Sequence, residues 1–562
     1  MLSPLPATSA EVMNWEWDRL APHFDELAAR ELTEDNVEEW LEDWTRLHNL
    51  VNEVGSRLHV GTTVNTADAD TKEKLDRYLD TIYEPSEVAE QRLKEKLLAS
   101  GLVPKGMENP LRQMRAEADL FRAENLPLLT DTIKLSNDYD AVVGGQTVVW
   151  EGTEIPVDQL EKVMRDPDRS KREKAWRMKL DRKLQDRDTL NSQWEKFYDL
   201  RGRIAANADK ADFREYMWQM LMRFDYTPAD CETFHRAIEE VVVPAAERIY
   251  ARKRLKLGVE ALRPWDVDAE PPGHQPLRPF DNVQEMIDKG QVIFDQLDPD
   301  LAAQFRIMVR ENLLDLDSRK NKAPGGYCTS FDTAKRPFIF MNTVGVHDDV
   351  QTLLHEAGHA FHAFSTSNLP YFQQTQVGSE FCEVASMAME LLAAPYLDRG
   401  YYTPEDAARA QVEHLESRIL FWPYMAVVDA FQHWAYTNPN GSDPTACDHK
   451  WGELWDRFMK GIDYSGLETE KVTGWHRKLH IFTVPFYYVE YGLAQMGAVQ
   501  VWRNSMSDPA GALASYRKAL ALGCTVGLPQ LFEAAGGKFA FDAGTLGELV
   551  KLMESRIDEL SA

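Results

Sequence analysis

Cysteine is scarce in this chain of 562 residues: five thiols, Cys231, Cys328, Cys382, Cys447 and Cys524, lie far apart, and no Cys-x-x-Cys pair occurs. A disulfide scaffold is thereby excluded, and an odd, scattered set predicts reduced thiols in a cytoplasmic setting. Long apolar runs are missing as well. No stretch approaches the roughly 18 residues of a membrane span, and Met1 to Ala10 has neither the basic region nor the apolar core of a secretory leader. Positive charge is in deficit, with Lys+Arg 63 against Asp+Glu 91 and a net charge of -28. Such a chain is repelled by nucleic acid and by anionic membranes, so neither is an expected partner. Internal repeats and low-complexity tracts are also lacking.

What is present is ordinary globular material, 44% hydrophobic and 27% charged, enough for a large core. The first half is helical in pattern. Asp35 and Glu38 form a capping-box pair ahead of Trp40, Trp44, Leu47 and Val51, and Gly55 stands where a C-cap glycine is expected. Amphipathic segments run from Ser9 to Leu32 and from Ser86 to Ser100, the second stopped by Gly101 and Pro104. Gln146 to Ile155 alternates like a strand or hairpin. The basic stretch Arg165 to Arg187 interleaves acids at helical spacing, Glu173 and Arg177 for example, and reads as a salt-bridged helix face. Leu262 to Pro279 is rich in proline and glycine and is expected to be an irregular insertion. Then a Gly-Gly turn (Gly325, Gly326) leads to the strand-like run Arg336 to Asn342, and a helix begins near Asp348 or Asp349.

That helix carries His-Glu-Ala-Gly-His at 355 to 359. Residues four apart on a helix share a face, so His355 and His359 can approach one tetrahedral zinc ion, and Glu356, turned by about 100°, can reach a metal-bound water. Apolar Val350, Leu353, Leu354, Phe361 and Phe364 predict that the helix is buried. Buried histidines and a glutamate are costly unless something satisfies them, and a metal satisfies all three. A metzincin needs Gly at 362 and His at 365, where this chain has His362 and Ser365. The third ligand is then sought among Glu380, Glu383 and Glu390 on the next helical segment, opened by Gly378 and Ser379. Glu383 and Glu390, seven apart, share a face, so one can ligate while the other supports a ligand histidine. Glu380 reads as a helix N-terminal acid, and His362 as a packing or cleft residue.

HEAGHAFH (355 to 362), followed by Glu383 in FCEVASMAME, resembles the thimet oligopeptidase and oligoendopeptidase F family of zinc peptidases. KAPGGYC (322 to 328), PFIFMN (337 to 342), HIFTVPFYYVEYG (480 to 492) and LFEAAGGKFAFD (531 to 542) extend the likeness over roughly Leu200 to Ala562. The resemblance implies one zinc ion per chain held by His355, His359 and Glu383, with Glu390 behind them and Glu356 as general base. It implies that His480 and one of Tyr487 and Tyr491 stabilise the tetrahedral intermediate, Tyr488 being the adjacent competitor. It further implies a mainly α fold: a large helical ellipsoid divided by a deep substrate channel, with a small β-sheet beside the zinc helix of a gluzincin-like catalytic region. Residues 1–200 would form one wall and residues 201–562 the catalytic region. Strand 337–342, with Phe338 and Phe340, would pair as an edge with the substrate backbone, helped by Gly325 and Gly326. The expected activity is hydrolysis of internal bonds in short unstructured peptides. A metallo-exopeptidase and an inactive peptide-binding protein are the alternatives, and the sequence carries no sign of an oligomeric state.

Overall fold

The computed structural model describes residues 5–273, 275–323 and 325–562. Met1–Pro4, His274 of the insertion and Pro324 of the KAPGGYC stretch lie outside the described residues. The fold is mainly α, with five short strands in two small sheets among the described residues. Among the described residues no helix is long and apolar enough to cross a membrane. Six helices position the residues of interest: α1 (Val37–Val64), α2 (Pro228–Ala237), α3 (His347–Thr366), α4 (Ser379–Ala393), α5 (Pro404–Thr437) and α6 (Tyr488–Ser507). The strands are β1 (Thr147–Trp150), β2 (Thr153–Pro156), β3 (Leu314–Asp317), β4 (Tyr327–Phe331) and β5 (Arg336–Thr343).

The chain forms two compact units by interleaving rather than by a cut at 200, which falls inside a helix, Arg187–Asn207. Unit 1 gathers the residues up to Ala118, Leu277–Ala410 and Gly497–Phe539; unit 2 gathers Asp119–Pro276, Gln411–Met496 and Ala540–Ala562. An amphipathic helix can be buried by any part of the chain that offers a matching face, so a composition-based boundary cannot detect such interleaving.

Within unit 1, α1 turns Trp40, Trp44, Leu47, Leu50 and Val54 into a core shared with Phe24 and Leu93. Each such fully buried side chain contributes about 1.5–3 kcal/mol. Gly55 does not cap this helix, which continues to Val64. A Cβ there would stand 2.8 Å from the ring of Tyr78, so the glycine makes room for a neighbour in mid-helix. Gly101, by contrast, does end its helix, Glu84–Ser100, at φ 69°. The segment from Ser9 breaks into Ser9–Val12 and Trp17–Ala29. The larger sheet has the order β3-β5-β4, with β3 parallel and β4 antiparallel to β5. β5 is therefore the central strand, and Phe338 to Met341 are buried on both faces, as expected for a strand covered on each side.

Within unit 2, β1 and β2 form the expected hairpin. The basic stretch folds largely as the helix Arg169–Leu184, where Arg177 pairs with Glu173 at 2.9 Å. Arg169 and Arg172 reach Asp266 of the irregular insertion at 2.7 and 2.8 Å. These cations tie one part of the fold to another. The core is aromatic: Trp194 meets Tyr436, Trp475 and Phe482 at centroid distances of 5.6–5.9 Å.

Candidate metal centre

α3 starts where Asp349 folds back on its own N-terminus: Oδ2 accepts from the backbone N–H groups of Val344, Gly345 and Val346 at 2.8–2.9 Å. Gly345, at φ 87°, permits the turn that aims them. One face of α3 is wholly buried through Val350, Leu353, Leu354, Ala357 and Phe361. The opposite edge carries His355 and His359, with ring centroids 4.9 Å apart and planes nearly perpendicular.

α4 packs against α3 backbone to backbone. A Cβ on Gly358 would lie 2.6 Å from the carbonyl oxygen of Ala385 and 2.7 Å from Cα of Ser386, so only glycine fits between the two histidines. Tyr516 donates to the same Ala385 carbonyl at 2.7 Å. This approach brings Glu383 Oε2 to 3.4 Å from His355 Nε2 and 3.8 Å from His359 Nε2. Ligands held 2.0–2.1 Å from a tetrahedral ion stand about 3.3 Å from one another. The three donor atoms lie within 4.8 Å of one another and fit such an ion. Glu390 Oε1 bonds His355 Nδ1 at 2.8 Å, which leaves Nε2 as the nitrogen turned toward Glu383. Ser386 Oγ donates to Glu383 Oε2 at 2.9 Å.

The electrostatics follow from this crowding. Burial pulls His355 toward neutrality, but its bonds to Glu383 and Glu390 outweigh burial and lift it to about 10. Burial lowers His359 to about 4, assisted by charged His355. Glu383 is held low, since His355 and His359 overcome the cost of its burial. Glu356, 7% exposed, is pushed up to about 7, chiefly by burial and then by Glu383 and Glu390, against the pull of His355. A carboxyl poised near neutrality beside a ligand set is suited to moving a proton. Glu380 sits in the first turn of α4. His362 packs edge-on against Phe381 and is lowered to about 3 by burial.

Phe338 and Phe340 do not lie on an edge. Phe340 is 0% exposed and stacks on Tyr327 at 4.9 Å, while Phe338 tilts against Phe331. They hold β5 to β4, and the strands with an unpaired side are β3 and β4. Gly325, at φ 94°, and Gly326 lead directly into β4, which runs against α3. Cys328 of β4 has its thiol pushed well up by burial and then by the nearby charge of Glu356.

Unit 2 holds the other predicted group. His480 lies 6.4 Å from Tyr487 and 6.1 Å from Tyr491 by ring centroid, and the two tyrosines meet edge to face at 5.3 Å. Tyr487 precedes α6 rather than lying within it. Phe486, buried at φ 66°, makes the turn, its N–H donating to Gln432 Oε1 at 2.7 Å and its carbonyl accepting from Arg223. Tyr488 is buried beneath Lys478, whereas Tyr487 and Tyr491 are half-buried. Burial, then Lys478, lowers His480 to about 4. The roles of Gly358 and Ser386 are not read from the sequence, whereas Asp349 is expected near the start of α3. Ser386, three residues after Glu383, is the one whose spacing offered a signal.

A two-helix HExxH centre beside a three-stranded sheet, in a mainly α fold, defines a metallopeptidase class. A family model, peptidase family M3, matches residues 162–550, and the chain belongs to that family, a family of metallopeptidases. Among solved structures, the chain is similar to PZ peptidase A with inhibitor 2, at 26% identity and TM-score 0.88, covering 97% of this chain and 98% of that one. It is also similar to a structure described as an oligoendopeptidase F, at 27% identity and TM-score 0.86, with 96% of each chain covered. A shorter match, 26% identical over 134 residues, is to chromosomal oligoendopeptidase F of Lactococcus lactis subsp. cremoris. It takes in 23% of this chain and 21% of that relative's length.

Proposed function

We propose that this chain is a zinc-dependent oligoendopeptidase that hydrolyses internal bonds of short, unstructured peptides. The observation that carries the reading is the spacing of His355 Nε2, His359 Nε2 and Glu383 Oε2, with donors 3.4 and 3.8 Å apart. Two imidazoles and a carboxylate suit zinc, and leaving one position open suits a catalytic rather than a structural ion. When bound there, zinc supplies a water acidified toward a pKa of about 7 and polarises the scissile carbonyl. Glu356 would take a proton from the attacking water and deliver it to the leaving amine. Glu390 keeps His355 oriented, and Ser386 keeps Glu383 oriented. β4, entered through Gly325 and Gly326, offers its edge to an extended peptide by strand addition, the role first expected of β5. The family resemblance assigns the stabilising of the oxyanion to His480 and one of Tyr487 and Tyr491. Removing one such donor typically costs about 10² to 10³ in rate. No disulfide joins any of the five cysteines, which supports a reducing, cytoplasmic setting.

The test is product mapping by mass spectrometry on peptides of about 5 to 20 residues alongside a folded protein, with and without a chelator. Internal cleavage of the peptides alone, lost on chelation and restored by zinc, is the expected result. Removal of terminal residues only would make the chain an exopeptidase, and no cleavage in zinc-replete samples would make it a binding protein.

A further inference from the structure

Unit 2 contains a second constellation of metal-ligating side chains. On α2, Cys231 and His235 are four residues apart and so share a face; on α5, Asp429 and His433 do the same. The two faces meet. Ligand atoms of Cys231, Asp429 and His433 all lie within 4.8 Å of one another. All four side chains are buried, Cys231 and Asp429 completely. His235 Nε2 bonds Asp429 Oδ2 at 2.8 Å, and His433 Nε2 stands 3.3 Å from the same oxygen.

Hydrogen bonding leaves this cluster incomplete. Asp429 Oδ1 is buried with no hydrogen-bond partner among the described residues, and His433 Nε2 has only its 3.3 Å approach to Asp429 Oδ2. Buried polar atoms are nearly always paired, and a spare carboxylate oxygen beside an imidazole and a thiol calls for a shared partner. Around them, Trp218 and Phe486 each lie 5.5 Å from the His433 ring and keep bulk water away. Arg214 Nη1 is 3.5 Å from Nδ1, the other nitrogen of that ring, so Nε2 is the one turned to Asp429. Thiolate, carboxylate and imidazole together neutralise a divalent ion and favour zinc over magnesium or calcium, which prefer all-oxygen shells.

We propose that Cys231, Asp429 and His433 bind a second zinc ion that joins α2 to α5 within unit 2, with His235 positioning the Asp429 carboxylate. This proposal does not depend on the catalytic reading. The two sites differ in kind, because the set on α3 and α4 contains no sulfur ligand.

Zinc X-ray absorption and metal analysis of the full-length wild-type protein test the idea. The expected result is two zinc ions per chain and a sulfur shell near 2.3 Å at about half occupancy per zinc. In Cys231→Ser the sulfur shell vanishes and one zinc is lost; in His355→Ala one zinc is lost and the sulfur shell doubles in weight. One zinc with a full sulfur shell in the wild type would keep this site and overturn the catalytic one. Zinc with only nitrogen and oxygen neighbours, no zinc at all, or a sulfur shell surviving Cys231→Ser would overturn this proposal. Should Cys231→Ser fail to fold, cobalt substitution of the wild type decides alone, since a thiolate-to-cobalt charge-transfer band is expected and its absence counts against the site.

Discussion

At the scale of single residues, the centre divides into atoms that can touch a metal and atoms that aim them. Glu356 belongs to neither group. Glu356→Gln is expected to keep the metal and lose about 10²- to 10⁴-fold in kcat, as befits a proton carrier. Near-normal turnover in that variant would remove its role. Glu390→Gln should instead weaken metal affinity by about 10- to 100-fold, read by competition with a chelator, because Glu390 Oε1 fixes His355 from behind at 2.8 Å. A residue away from the centre contributes to acid sensitivity. Burial, aided by Arg477 and Arg187, holds His476 near 3, and its Nε2 bonds Asn191 Oδ1 at 2.7 Å. Its folded pKa lies below the unfolded one, so its stabilising contribution is complete above about pH 6.5 and shrinks as pH falls toward 3, by about 3 kcal/mol at pH 4. His476→Gln, which cannot titrate, should therefore gain on the wild type between pH 7 and pH 4 in urea melts, and a constant gap would argue otherwise. His355 and His359 were legible because four-residue spacing is a property of the helix itself. Glu383 was one of three acids until the family resemblance chose it. The cluster around Asp429 was invisible, since Cys231 and Asp429 are brought together only by the packing of two helices.

At the scale of elements, the decisive contact is α3 on α4. Gly358→Ala places a methyl group against main chain at 2.6 Å, and main chain cannot step aside. The helices must part, carrying Glu383 away from the histidines. The expected outcome is a loss of stability of about 1–3 kcal/mol together with a larger fall in metal occupancy than any side-chain change on the same face gives. Gly55→Ala meets the ring of Tyr78 rather than main chain, so it should cost less. In sequence these two glycines look alike, and a helix-ending glycine looks the same again. That is why Gly55 was misread. Strand order escaped for a related reason: β5 has the aromatic, branched composition of any buried strand, and its partners are chosen elsewhere in the chain. Phe340→Ala should accordingly lower stability by about 3–5 kcal/mol in denaturant titration, the cost of emptying a packed site. A change in KM at unaltered stability would restore its expected role in binding substrate.

At the scale of the whole molecule, the net charge of -28 acts on encounter rather than on fold. Raising ionic strength from about 0.01 to 1 M shortens the Debye length from about 30 to 3 Å. Over that range kcat/KM should fall for a lysine-rich peptide and rise for an acidic one of equal length, and parallel responses would show that charge does not steer substrate. The interleaving of the chain bears on how the protein is made. Unit 1 needs its stretch Gly497–Phe539, by which point nearly all of unit 2 has already been synthesised. Neither unit can therefore close while the other is still unwritten: α1 finds most of its core nearby, but α4 must wait on the ribosome for Tyr516, 131 residues beyond Ala385. A growing chain of this design exposes apolar helices for longer than one built of consecutive domains, which makes a holding chaperone a natural companion of its synthesis.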